Sequence, residues 1–168
     1  MKRIAICALF LLLATFLSAQ TTHKKDGKTR TAATATLNRE PSKELMQKIL
    51  DAWGSGNLDN VRPYYDKTPS NLYFDVLPMK YTGLHEYIAG VSKEFGNYQS
   101  AKLSMNDDAQ AHRAGNIGYG AATIRIDLTD KAGKAESLNA RWTIIWEKKG
   151  SNWLVVHEHT SVPMPENK

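Results

Sequence analysis

Cysteine is almost missing from this sequence: Cys7 is the only one in 168 residues. It sits inside an N-terminal apolar run. Once that run is removed no thiol remains, which excludes disulfides and cysteine chemistry from the folded part. An excess of one charge is missing there too. The whole chain carries a formal +5, but Lys2 and Arg3 belong to the N-terminal run. Five further basic residues (Lys24, Lys25, Lys28, Arg30, Arg39) lie in residues 20–40, with Asp26 and Glu40 as the only acidic residues. Residues 41–168 then hold 15 basic and 15 acidic residues and are formally neutral. A nucleic-acid-binding domain needs a basic face, so nucleic acid is excluded as a partner. No glycine-rich phosphate loop occurs. Gly115, Gly118 and Gly120 lie on or beside a strand with no helix after it, and they predict a bulge or a sharp sheet bend. No internal repeat is present.

The N-terminal run itself is informative. Lys2 and Arg3 precede a mostly apolar stretch from Ile4 to Leu17, and Leu17-Ser18-Ala19 ends it on a small residue. At 14 residues it is short for a membrane span. It reads as a secretory signal peptide, residues 1–19, cleaved after Ala19. The expected location is periplasmic or extracellular, with no membrane anchor after cleavage. Residues 20–40 are rich in Thr, Ala and Lys with almost no large apolar side chain, the composition of a disordered linker. The folded domain is expected over 41–163, with 164–168 as a tail.

Within that domain, Ser42 is a plausible N-cap for a helix whose apolar stripe is Leu45, Met46, Ile49, Leu50 and Trp53. Gly54 and Gly56 stop it. A second helix carries Leu58, Val61, Tyr64 and Tyr65, and Pro63 makes it short or irregular. Residues 71–77 read as a strand, with a short partner at 79–81. Thr82 opens a third helix with the stripe Leu84, Tyr87, Ile88, Val91 and Phe95. Gly90, in its middle, costs about 1 kcal/mol relative to alanine. The period then switches to two, with strands over 98–106 and 117–128.

The last stretch, LNARWTIIWEKKGSNWLVVHEHTSV (138–162), reads as a hairpin around Lys148-Lys149-Gly150-Ser151. A four-residue loop pairs Glu147 with Asn152. It then sets Trp146 against Trp153, Ile144 against Val155, Trp142 against His157 and Ala140 against His159, all on one face. Arg141 and Glu158 form an ion pair on the other. Both faces hold large apolar residues. Helices are expected to cover one and a second subunit the other, which points to a homodimer. Helices segregated from an antiparallel sheet make an α+β domain.

Several segments together resemble the SnoaL-like branch of the nuclear-transport-factor-2-like superfamily. They are AWGSGNLDNV, the Tyr64-Tyr65 pair, LYFDVLPMKYTGLHEYIAGV and RWTIIWEKKGSNWLVVHEHTSVP. The final run is similar also to the association domain of calcium/calmodulin-dependent kinase II. The resemblance covers roughly residues 42–163. It implies a cone: three N-terminal helices packed on a strongly curved, mostly antiparallel sheet that encloses a pocket, usually as a dimer. It also implies two kinds of member, non-catalytic binding or assembly modules and cofactor-independent isomerases, cyclases or dehydratases. Fold alone does not choose between them.

Candidate chemistry follows from side chains. Asp75 lies in an apolar strand. In a pocket its pKa rises and it becomes a usable acid or base; otherwise it is a hydrogen-bonded structural carboxylate. His157 and His159, two apart, share a face and are the candidate proton shuttles. The same spacing suits a metal pair, with His112, Asp75 or Glu158 as a third ligand, but nothing selects one, and no metal or other cofactor is expected. Tyr65, Tyr81 and Tyr119 are candidate hydrogen-bond donors to a ligand oxygen. Trp142 completes the expected lining on its face of the hairpin; if that face is instead the convex one, Arg141 on the opposite face points inward and binds an anionic ligand. The expected ligand is a small apolar or carbonyl-containing molecule.

Overall fold

The computed structural model describes residues 40–164. The expected signal peptide, nearly all of the linker and all but the first residue of the tail lie outside the described residues.

Helix α1, Lys43–Gly54, starts where Ser42 Oγ accepts from the Leu45 amide at 3.1 Å. Its stripe of Leu45, Met46, Ile49, Leu50 and Trp53 is buried, as the spacing predicts. The second helical segment is two successive 3-10 turns, Leu58–Asn60 and Arg62–Tyr64, with Pro63 in the first turn of the latter. Strand β1 (Leu72–Phe74) and strand β2 (Tyr81–Thr82) pair antiparallel and lead into helix α2, Gly83–Phe95. The Thr82 side chain makes no cap. Instead Glu86 Oε2 reaches back and accepts from the Thr82 amide at 2.8 Å.

The remaining strands are β3 (Tyr98–Met105), β4 (Gln110–Ala114), β5 (Ile117–Asp130), β6 (Ala135–Lys149) and β7 (Asn152–Ser161). β4 was not expected from the sequence. It and β3 share one flank of β5, pairing with its first and second halves. The sheet runs β2-β1-β7-β6-β5-β3, curved, and antiparallel except where β1 runs parallel to β7. The free edge of β3 is occupied by a side chain. Gln47 of α1 donates from Nε2 to Leu103 O and accepts from the Met105 amide, both at 3.2 Å. One amide group thus stands in for a neighbouring strand.

The core lies between the helices and the concave face of the sheet. Trp142, Ile144, Trp146, Ile124 and Val155 meet Met46, Ile49, Leu50, Tyr87 and Val91 there. No register shift falls at Gly118 or Gly120, so of the expected bulge or sharp bend the bulge is not found in this part of β5. An added Cβ at Gly120 would stand 2.7 Å from Met46 Sδ, and one at Gly118 would stand 2.3 Å from Pro41 Cγ. These glycines let the start of α1 close on the strand.

The hairpin departs from its predicted register. Lys149 pairs with Asn152 across a tighter turn, Gly150 taking φ +62°. The ladder continues Trp146 to Val155 and then jumps to Ile145 with His157. Val156 is the extra residue of a β-bulge, and past it every side chain of β7 is on the opposite face from the one strict alternation assigns.

Candidate functional site

The bulge decides which groups of β7 face the cone. Before it, Trp153 and Val155 are buried; after it, Glu158 and Thr160 are. His157 and His159 are turned away. His157 Nδ1 lies 2.8 Å from Leu72 O, and the rings of both histidines stand edge-on to Phe74. The expected ion pair of Arg141 with Glu158 is corrected for the same reason: Arg141 pairs with Ser161 and is exposed, while Ile144 lies opposite Glu158.

Glu158, only 2% exposed, is the centre of the buried polar network. Oε1 accepts from Trp142 Nε1 at 2.7 Å, and Oε2 accepts from the Tyr65 hydroxyl. That hydroxyl accepts in turn from Trp53 Nε1 at 2.8 Å. Burial pushes the Glu158 carboxyl up to about 7, against the hydrogen bonds from Tyr65 and Trp142 that favour its charged form. Burial, reinforced by the Glu158 charge, holds the phenols of Tyr65 and Tyr87 well above their ordinary value.

Beside this network is a cavity of about 70 Å³. It is lined by Glu158, Asp75, Thr160, Tyr87, Trp53 and Trp142, with apolar walls from Leu50, Val91, Phe95, Leu103, Ile124 and Ile126. Asp75 is half-buried, accepts from the Val76 amide at 2.7 Å, and is raised above the usual carboxylate range, mainly by burial. Asp75 and Thr160 also line an outer groove of about 480 Å³ with Phe74, Val76, Met79, His159 and Val162.

The predicted residues therefore separate. Asp75 and Trp142 line the cavity. Tyr65 stands behind it as the hydrogen-bond partner of Glu158. His159 shares only the outer groove with Asp75. Tyr81 is buried, and its hydroxyl donates to Leu77 O at 3.0 Å. Tyr119 is 50% exposed on the outer face and stacks on His112. Among the described residues no three His, Cys, Asp or Glu side chains come together as a metal site. The predicted register puts Glu158 on the opposite face from Trp142, and the structure puts both on the same one. The signal for it was the run Leu154-Val155-Val156, which breaks alternation just before the His-Glu-His triplet.

A sequence profile of the calcium/calmodulin dependent protein kinase II association domain matches residues 39–165. The chain belongs to this family. Solved structures agree on the fold of this association-domain chain. It is similar to a nuclear transport factor 2-like protein from Salmonella enterica, at 15% identity and TM-score 0.67 over 80% of this chain and 96% of that one. It is similar to the association domain of Caenorhabditis elegans kinase II, at 21% identity and TM-score 0.57 over 71% and 91%. It is similar also to a putative dehydratase from Streptomyces avermitilis, at 14% identity and TM-score 0.60 over 70% and 91%. No curated protein matches the sequence at a significant level.

Proposed function

We propose that this domain is an assembly module, exported to the periplasm or beyond, in which copies of the chain join through the outer face of β5, β6 and β7. The observation that carries the reading is the character of that face. Tyr119, Ile145 and His157 form one row across the three strands. Ile117 is 47% exposed, and Leu154, Ile145 and Val156 each remain partly exposed. The other face is filled: Trp53, Tyr65, Tyr87, Trp142 and Trp146 occupy the cone. The space they leave, about 70 Å³, is well below the roughly 300–1,000 Å³ of ordinary substrate pockets. The association function named for the family supports the same reading. Light scattering at micromolar concentration tests it. A dimer or larger species is expected, and Ile145→Asp, which sets a carboxylate mid-row, should give a folded monomer. A wild-type protein that is itself monomeric would end the idea.

A second reading, cofactor-independent isomerisation or dehydration of a small carbonyl compound, has one observation in its favour. Glu158, with its carboxyl near neutrality, and Asp75 face one cavity, as an acid and a base must. Turnover of small enolisable ketones that disappears in Asp75→Asn would establish it. Its absence across a carbonyl panel, with assembly intact, leaves the module reading alone.

A further inference from the structure

The cavity has a one-sided chemistry. Its lining includes two carboxylates, Glu158 and Asp75, and no lysine, arginine or histidine. Its polar groups stand among aromatic rings, those of Trp53, Tyr87, Phe95 and Trp142. Glu158 accepts from Trp142 on one oxygen and from Tyr65 on the other, and the Tyr87 hydroxyl is a third hydrogen-bond partner. A carboxylate accepts about four hydrogen bonds, so one place remains to offer. Asp75 Oδ1 accepts from the Val76 amide, and Oδ2 meets no donor among the described residues. An anion here would face two carboxylates with no compensating charge. A purely apolar guest would leave their lone pairs unanswered. A cation bearing N–H groups answers the carboxylates by charge-assisted hydrogen bonds and the rings by cation–π attraction.

Size narrows the class. About 70 Å³ of space holds a few groups the size of water, which suits a head group and not a whole metabolite. An apolar groove adjoins it, because Asp75 and Thr160 also line the outer groove with Phe74, Val76, Met79 and Val162. We infer that the cavity takes the head group of an organic cation, a primary ammonium or a guanidinium, with Glu158 at its floor, Asp75 at its mouth and an apolar stem lying in the groove.

The test uses the intact protein and four probes with one stem: n-butylammonium, n-butylguanidinium, n-butanol and n-butyrate. Calorimetric titration should show at least one of the two cations binding roughly tenfold or more tightly than butanol, with no binding of butyrate. Asp75→Asn and Glu158→Gln should each weaken the cation by roughly tenfold. Asp75, half-exposed at the mouth, is the substitution least able to disturb folding. Butanol binding as well as the cations, no cation binding up to millimolar concentration, or cation affinity unchanged in Asp75→Asn would each overturn the inference. Oligomeric state does not enter this readout, so the assembly reading and the cation site stand or fall separately.

Discussion

A Cβ added at Gly90 would lie 2.1 Å from Cε1 of the Tyr81 ring. Tyr81 has little freedom to yield: it is 4% exposed, its hydroxyl is held by Leu77 O, and its ring packs 5.3 Å from that of Tyr87. By helix propensity alone Gly90→Ala should stabilise α2 by about 1 kcal/mol. The overlap reverses the sign, because overpacking a full core typically costs about 1–3 kcal/mol. Urea denaturation should show a net loss for Gly90→Ala. A gain would mean that the ring moves freely.

Glu158 titrates differently in the folded and unfolded chain. Its folded value of about 7 lies above the ordinary 4.5. The folded state therefore holds a proton that the unfolded state has already released between those values. The stability this group contributes is complete below about 4.5 and is lost as pH rises through about 7. At about 1.4 kcal/mol per unit, the loss approaches about 3 kcal/mol. Denaturation midpoints of the wild type should fall across that window. Those of Glu158→Gln should lack this component.

Tyr65→Phe removes a donor to Glu158 and the acceptor for Trp53 Nε1 while keeping the ring. The hydrogen bond favours the charged carboxylate, so its loss should move the Glu158 titration further up from about 7. Carbon-13 resonances of the Glu158 carboxyl report this directly. A buried indole N–H left without a partner should also cost about 1–3 kcal/mol. A titration that moves downward would contradict the network.

Gln47→Met keeps the length of the side chain but removes both hydrogen bonds to the free edge of β3. The expected loss is about 1–2 kcal/mol in urea. The bared edge should also promote slow strand-to-strand association, visible as rising light scatter on incubation. An unchanged midpoint would mean that the helix does not guard the edge.

Much of the architecture was legible because it follows from periodicity. The stripe from Leu45 to Trp53 has one solution, a buried helix face, and Pro63 announced the broken second segment. The site was less legible, and the reason is local. Face assignment along β7 depends on counting by twos from the turn. The tighter turn at Gly150-Ser151 shifts the pairing by two and leaves the faces as predicted, whereas the extra residue at Val156 shifts it by one. That single residue carried His157 and His159 away from the cavity and Glu158 into it. Asp75 was found because a carboxylate between Phe74 and Val76 is anomalous in any register. Gln47 gave no such signal, since a polar residue on an amphipathic helix is what solvent exposure also predicts.

The extra residue at Val156 gives the His-Glu-His triplet its meaning in this fold. A relative spelling the same triplet on the same strand, but without the insertion, would hold two imidazoles inside its cone and a carboxylate in solvent. It would be a different reagent written in identical letters. Transfer of a role between members of this family should therefore begin by counting residues from the hairpin turn, and only afterwards compare side chains.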